Sequence, residues 1–127
     1  MLTIGIKGSQ IEIVTVEKAA SALGSGGLNV YGTPAMIALM EGTALNSVQP
    51  FLEPGMTTVG TLVNIQHKAA VPIGSTVTCE SELIEIDRKK LVFHVSVFDE
   101  NVEVGSGLHE RFIVNIERFL SKVQQKK

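Results

Sequence analysis

The run TPAMIALMEGTALNSV, from Thr33 to Val48, limits the folds open to this chain more than any other stretch. Thr33-Pro34 reads as a helix start. It offers a hydroxyl at the N-cap and, at the first helical position, a proline whose missing N–H costs nothing there. The helix is expected to run to Val48 or Pro50. Ala35, Met36, Ile37, Ala38, Leu39, Met40, Ala44, Leu45 and Val48 then occupy almost every face. A helix apolar all round is a buried helix, so other elements must cover it on all sides. Glu41 interrupts that apolar surface. An unpaired buried carboxylate is costly, so Glu41 needs a partner or a chemical role.

The cover comes from segments whose apolar period is two rather than 3.6. IEIVTV, Ile11 to Val16, is short and β-branched and reads as a strand. Ala22 to Leu28 is a glycine-rich loop, without the lysine and hydroxyl that follow in a phosphate-binding loop. Glu53-Pro54-Gly55 makes a turn. Thr57 to Ala69 then places Val59, Val63, Ile65, His67 and Ala69 on one face of a strand. Further strands are expected over Thr76 to Asp87, Leu91 to Asp99 and Val104 to Ile116, joined by VPIGS, DRKK and DENVE. Connections this short imply antiparallel neighbours. The glycines of Gly105-Ser106-Gly107 mark a place where something packs closely on the last strand. The tail ERFLSKVQQKK reads as a short helix. The fold class is therefore α+β, a long antiparallel β-sheet wrapped around one central buried helix, as a single domain over residues 1–127. An unpaired sheet edge would favour a homodimer or higher homo-oligomer.

Composition narrows the function. The formal net charge of -2 leaves no basic footprint for nucleic acid. Cys79 is the one cysteine, so no intramolecular disulfide can form, and a reducing cytoplasm is the expected location. No apolar run approaches the roughly 20 residues of a membrane span, and MLTIGIKGSQ lacks the pattern of a signal peptide. No Cys/His cluster suggests a metal, and no cofactor is expected.

Three side chains could make a reaction centre. His67 shares the apolar strand face with Val63 and Ile65, which should pack on the central helix. Glu41 lies in that helix, and a carboxylate beside an imidazole orients the ring and stabilises its charged form. Thr33 supplies a hydroxyl at the helix start. Together these are the parts of a nucleophile–base–acid set. Thr33 and Glu41 are eight residues apart, roughly 12 Å along a helix. They share one site only if Thr33 hangs off the helix start, if the site is extended, or if one comes from a second subunit. His94 alternates with Phe93 and Val95 and reads as surface. His109 and Arg111 are opposite in parity to Leu108 and Phe112; they could meet phosphates, but solvation is the expectation. Cys79 reads as a small core residue.

The stretches TPAMIALME, LEPGMTTVGTLVNIQHKAAVPIG and GSGLHERFIVNIERF, spacing included, resemble the fluoroacetyl-CoA thioesterase branch of the hotdog-fold thioesterases, over roughly residues 11 to 125. The resemblance implies a hotdog sheet around a central helix, with Thr33, Glu41 and His67 as the catalytic set. It also implies that Gly60 lies where backbone meets the acyl group, that CoA is the carrier, and that a dimer holds two sites at its subunit interface. EKAASALGSGGLNVYG stands where the fluoroacetyl-specific enzyme carries a phenylalanine-bearing lid, and it contains no phenylalanine. Only the reaction class is carried over, an acyl-CoA thioesterase hydrolysing a small or medium acyl-CoA to free acid and CoA. The alternatives are a non-catalytic acyl-CoA-binding hotdog dimer and, disfavoured by the added threonine, a hotdog hydratase in which the glutamate–histidine pair abstracts a proton from a substrate carbon.

Overall fold

The computed structural model describes residues 1–126, so the last residue of the expected tail helix, Lys127, lies outside the described part. Strand β1 (Lys7–Ile13) leads through a 3-10 turn (Val16–Lys18) to the one-turn helix α1 (Ala20–Leu23). The long helix α2 (Thr33–Val48) follows, then β2 (Met56–His67), β3 (Thr76–Asp87), β4 (Lys90–Asp99), β5 (Val102–Asn115) and α3 (Ile116–Gln125). The strands form one antiparallel sheet in the order β1-β3-β4-β5-β2, and α2 packs against β1, β2, β3 and β4.

Hairpins join β3 to β4 and β4 to β5, as the short turns implied, with Arg88 and Glu100 in the left-handed region at those turns. The β2–β3 connection is not a hairpin. β2 pairs with β5 and β3 with β1, so the chain crosses the helix start between them. That crossing is held by backbone bonds from Tyr31 N–H to Val71 O and from Val14 N–H to Ser75 O, both 2.8 Å. The first strand also lies earlier than its β-branched run suggested. Polar Lys7 to Gln10 pair with Glu82 to Cys79, while Val14 leaves the ladder and is buried. Backbone pairing with β3 outweighs side-chain propensity at this edge.

The core joins Met36, Leu39, Met40, Ala44 and Val48 of α2 to Val77, Cys79 and Leu83 of β3 and to Leu91, Phe93, Val95 and Val97 of β4. Burying each valine, leucine, methionine or phenylalanine among them is worth about 1.5–3 kcal/mol. Gly105 of β5 serves the same packing: a Cβ there would meet Met36 Sδ at 2.7 Å. The helix is not covered on every side within one chain. Pro34 and Ala38 are exposed, and Ile37, Glu41 and Leu45 are half-buried. A single curled sheet reaches only one side of a 16-residue helix. No helix among the described residues is long and apolar enough to cross a membrane.

Candidate active site

Thr33 is not the helix cap. Gly32 holds that position, tied by its N–H to Lys18 O at 2.8 Å, and no side chain caps the helix. The Thr33 hydroxyl is thereby free, and Oγ1 lies 2.7 Å from His67 Nδ1 at the end of β2. The other ring nitrogen, Nε2, is buried without a hydrogen-bond partner among the described residues. Tyr31 sets its edge against the imidazole, with centroids 6.3 Å apart and planes at 80°. Tyr31 is itself anchored by donating to Glu12 Oε2 at 2.6 Å, and Lys18 Nζ holds the other oxygen at 2.9 Å. Burial lowers the His67 pKa, with the Ala69 backbone acting in the opposite direction. A neutral imidazole near pH 7 can accept a proton, as a general base must. Thr33 and His67 lie in an open cleft of about 310 Å³, with Ala20, Ser25, Tyr31 and Lys68 also in its wall.

Glu41 lies two helical turns on and meets a different group of residues. Its Oε2 is 3.8 Å from Arg111 Nη1. A Cβ on Gly60 would sit 2.7 Å from the same oxygen, so only glycine admits the carboxylate there. Arg111 is 6 % exposed and His109 is 1 % exposed, which corrects the expectation that both are solvated. Arg111 donates from Nε to Thr58 Oγ1 at 2.7 Å and from Nη2 to Thr58 O at 2.8 Å. Leu108 and Phe112 are the exposed members of that alternation. The sheet places two polar side chains inside and two apolar ones outside, and the neighbouring carboxylate compensates the buried guanidinium. The signal available in the sequence was Glu41 itself, an unpaired carboxylate on an apolar helix.

A β-bulge between Gly60 and Leu62 explains the geometry of β2. It resets the alternation, so Gly60, Val63, Ile65 and His67 oppose Arg111, His109, Gly107 and Gly105 on the helix side. Val59 falls on the other face, opposite Phe112, against its expected alignment with Val63. Gly60 and His67 thus share a face but stand roughly 20 Å apart at about 3.3 Å per residue. Within one chain the structure joins Thr33 to His67 and Glu41 to Gly60, but does not bring Glu41 to His67. His94 is exposed, as expected, and Cys79 is buried in the core.

A long antiparallel sheet packed on one central helix, with ionisable groups on the facing strand, defines a hotdog-fold domain of the thioesterase class. Residues 14–117 match the fluoroacetyl-CoA-specific thioesterase (FlK) family, and the chain belongs to it. The fluoroacetyl-CoA thioesterase of Streptantibioticus cattleyicolor is 41% identical over 97 residues, which span 76% of this chain and 70% of that relative. A solved structure of FlK superposes with a TM-score of 0.93 at 33% identity, covering 100% of this chain and 98% of the other. A Thermus thermophilus member of the thioesterase superfamily shares the fold, with a TM-score of 0.90 at 22% identity over 98% and 93% of the two chains.

Proposed function

We propose that this chain is an acyl-CoA thioesterase that hydrolyses a small or medium acyl-CoA to the free acid and CoA. The observation that carries the reading is the 2.7 Å contact between the Thr33 hydroxyl and His67 Nδ1. In this reading the Thr33 O–H donates to a neutral His67. Two roles fit the contact. Thr33 attacks the thioester carbonyl while His67 takes its proton, or Thr33 holds the water that attacks. In both, His67 returns the proton to the departing CoA sulfur, and water supplies the hydroxyl of the acid. Trapping a Thr33 acyl-enzyme by mass spectrometry separates the two. The family membership supports the reaction class. A solved structure of an FlK mutant in complex with fluoroacetate and CoA, and another in complex with acetyl-CoA, support the choice of carrier.

The reading includes a homodimer with two shared sites. β2 is a sheet edge, and Leu62 and Val63 on it are exposed. A twofold axis midway between Gly60 and His67 would pair the two β2 edges antiparallel. It would set Thr33 and His67 of one protomer against Gly60 and Glu41 of the partner subunit. The same rotation would cover the apolar side of α2 left open at Pro34, Ile37 and Ala38. Glu41 then orients His67 or activates water across the interface, and Gly60 borders the acyl group. No metal or organic cofactor is required by this chemistry.

The test is free-thiol release across acyl-CoAs from acetyl to phenylacetyl, with wild type beside His67→Ala. Loss of the base should lower turnover by at least about 100-fold. A loss under about threefold in a folded variant would remove His67 from the mechanism.

A further inference from the structure

We infer that His109 is a positioning residue for Glu41, acting as a neutral strut between the β2 bulge and the Arg111 guanidinium; this rests on the thioesterase reading above. His109 touches none of the reacting groups, yet both of its ring nitrogens are engaged. Nδ1 lies 2.8 Å from Leu62 O, and Nε2 lies 3.1 Å from Arg111 Nη1. A carbonyl can only accept and a guanidinium can only donate. Nδ1 must therefore carry the proton and Nε2 the lone pair, which fixes one neutral tautomer. An imidazolium would present a second cation to Arg111 and leave that N–H without an acceptor. Phe93 of β4 holds the ring flat, with centroids 6.3 Å apart and planes at 30°.

Each tie has a consequence for the site. Leu62 stands at the bulge, and the bulge is what turns both Gly60 and His67 toward α2. Arg111 is fixed at Thr58 by Nε and Nη2, so the bond to His109 settles the remaining terminus, Nη1. That terminus faces Glu41 Oε2. Glu41 is 41% exposed in its side chain and has no other close charged partner among the described residues. Its placement depends on how firmly Nη1 is held. A hydrophobic residue at 109 would fill the space but release the bulge carbonyl and the guanidinium together. Glutamine could keep both bonds, donating through its amide and accepting through its carbonyl.

The experiment measures kcat, KM and Tm by thiol release and thermal melting for wild type, His109→Met, His109→Gln, Glu41→Gln and the Glu41→Gln/His109→Met double variant. His109→Met should lower kcat by about tenfold or more with KM within about threefold, because the loss is in positioning rather than in binding. His109→Gln should recover most of that loss. In the Glu41→Gln background the methionine should cost less than about twofold, since residues acting through one another are non-additive. Equal losses in both backgrounds would reduce His109 to a structural residue and overturn the inference. So would an unchanged kcat in His109→Met. If His109→Met does not fold, His109→Leu takes its place: a loss of about tenfold or more there with His109→Gln within about fivefold of wild type upholds the inference, and near-equal activities of the two variants overturn it. Absence of thiol release by the wild type would overturn the thioesterase reading, and this inference with it. An active wild type indifferent to residue 109 would overturn the inference alone.

Discussion

Replacing Gly60 with alanine should separate stability from activity. The added methyl would lie 2.7 Å from Glu41 Oε2, whereas ordinary contact begins near 3.4 Å. Something must move by about 0.7 Å, the difference between those two distances. The methyl would also lie 3.3 Å from His109 Cε1 and 3.4 Å from Arg111 Nη1, both held by hydrogen bonds. Glu41 is the flexible neighbour, a long side chain 41% exposed, so the carboxylate yields. Swinging it costs little in folding free energy. Loss of glycine's unfolded-state entropy returns about 0.4–1 kcal/mol. The Tm should then stay within about 4 °C, the shift that roughly 1 kcal/mol makes in a domain of this size. Activity is less forgiving, because a misplacement near 1 Å costs about 100-fold in rate. A kcat loss on the order of 10- to 100-fold is therefore expected, read by thiol release beside a thermal melt. Full activity would show that Glu41's position is immaterial to the reaction. A fall in Tm beyond about 8 °C would show that the His109–Arg111 network had taken the strain instead.

Three further outcomes follow from the titrating groups, the first two from the histidines. Burial depresses the pKa of His67 and, with Arg111 adding to burial, that of His109, both from an ordinary 6.5. The unfolded chain therefore binds more protons than the native one just below pH 6.5. Stability should be full above that pH and decline as the pH falls through 6.5 toward the native values. Thioesterase activity should persist below pH 6.5 before falling as His67 charges. Melting and turnover from pH 8 to 5 test both, and a stability that rises on acidification would refute the sign. Cys79 is fully buried and its pKa is pushed up to about 11, mainly by burial. It should stay unlabelled by a thiol-reactive dye in the native protein and react fully in denaturant, so the thiol-release assay reads CoA alone. Rapid native labelling would refute the burial of that strand.

The element types follow directly from pattern. The Thr33–Val48 helix declared itself through proline at its start and apolar residues on every face. The strands from Thr76 onward declared theirs through alternation and polar turns. The edge strands were harder. β1 begins with KGSQ, which carries no β-branched residue, and only the ladder to β3 makes it a strand. β2 looked like the first arm of a hairpin with β3, because a short connection says nothing about which strand wins the pairing.

The candidate site divides along the same line. Thr33, Glu41, His67 and Gly60 could be singled out from residue type, spacing and family resemblance, since a carboxylate and an imidazole on apolar faces are costly unless used. His109 and Arg111 could not. Their burial depends on which side of β5 faces the helix, and their partnership with Thr58, Leu62 and Glu41 spans three separate elements. The bulge at Gly60–Leu62 was equally invisible, because one extra residue reverses every later side chain without changing the composition of the strand. The sequence alone determined which chemistry this protein carries. Tertiary packing alone decided where each group stands, because inward or outward facing on a sheet is settled by register, and register is a property of two strands together.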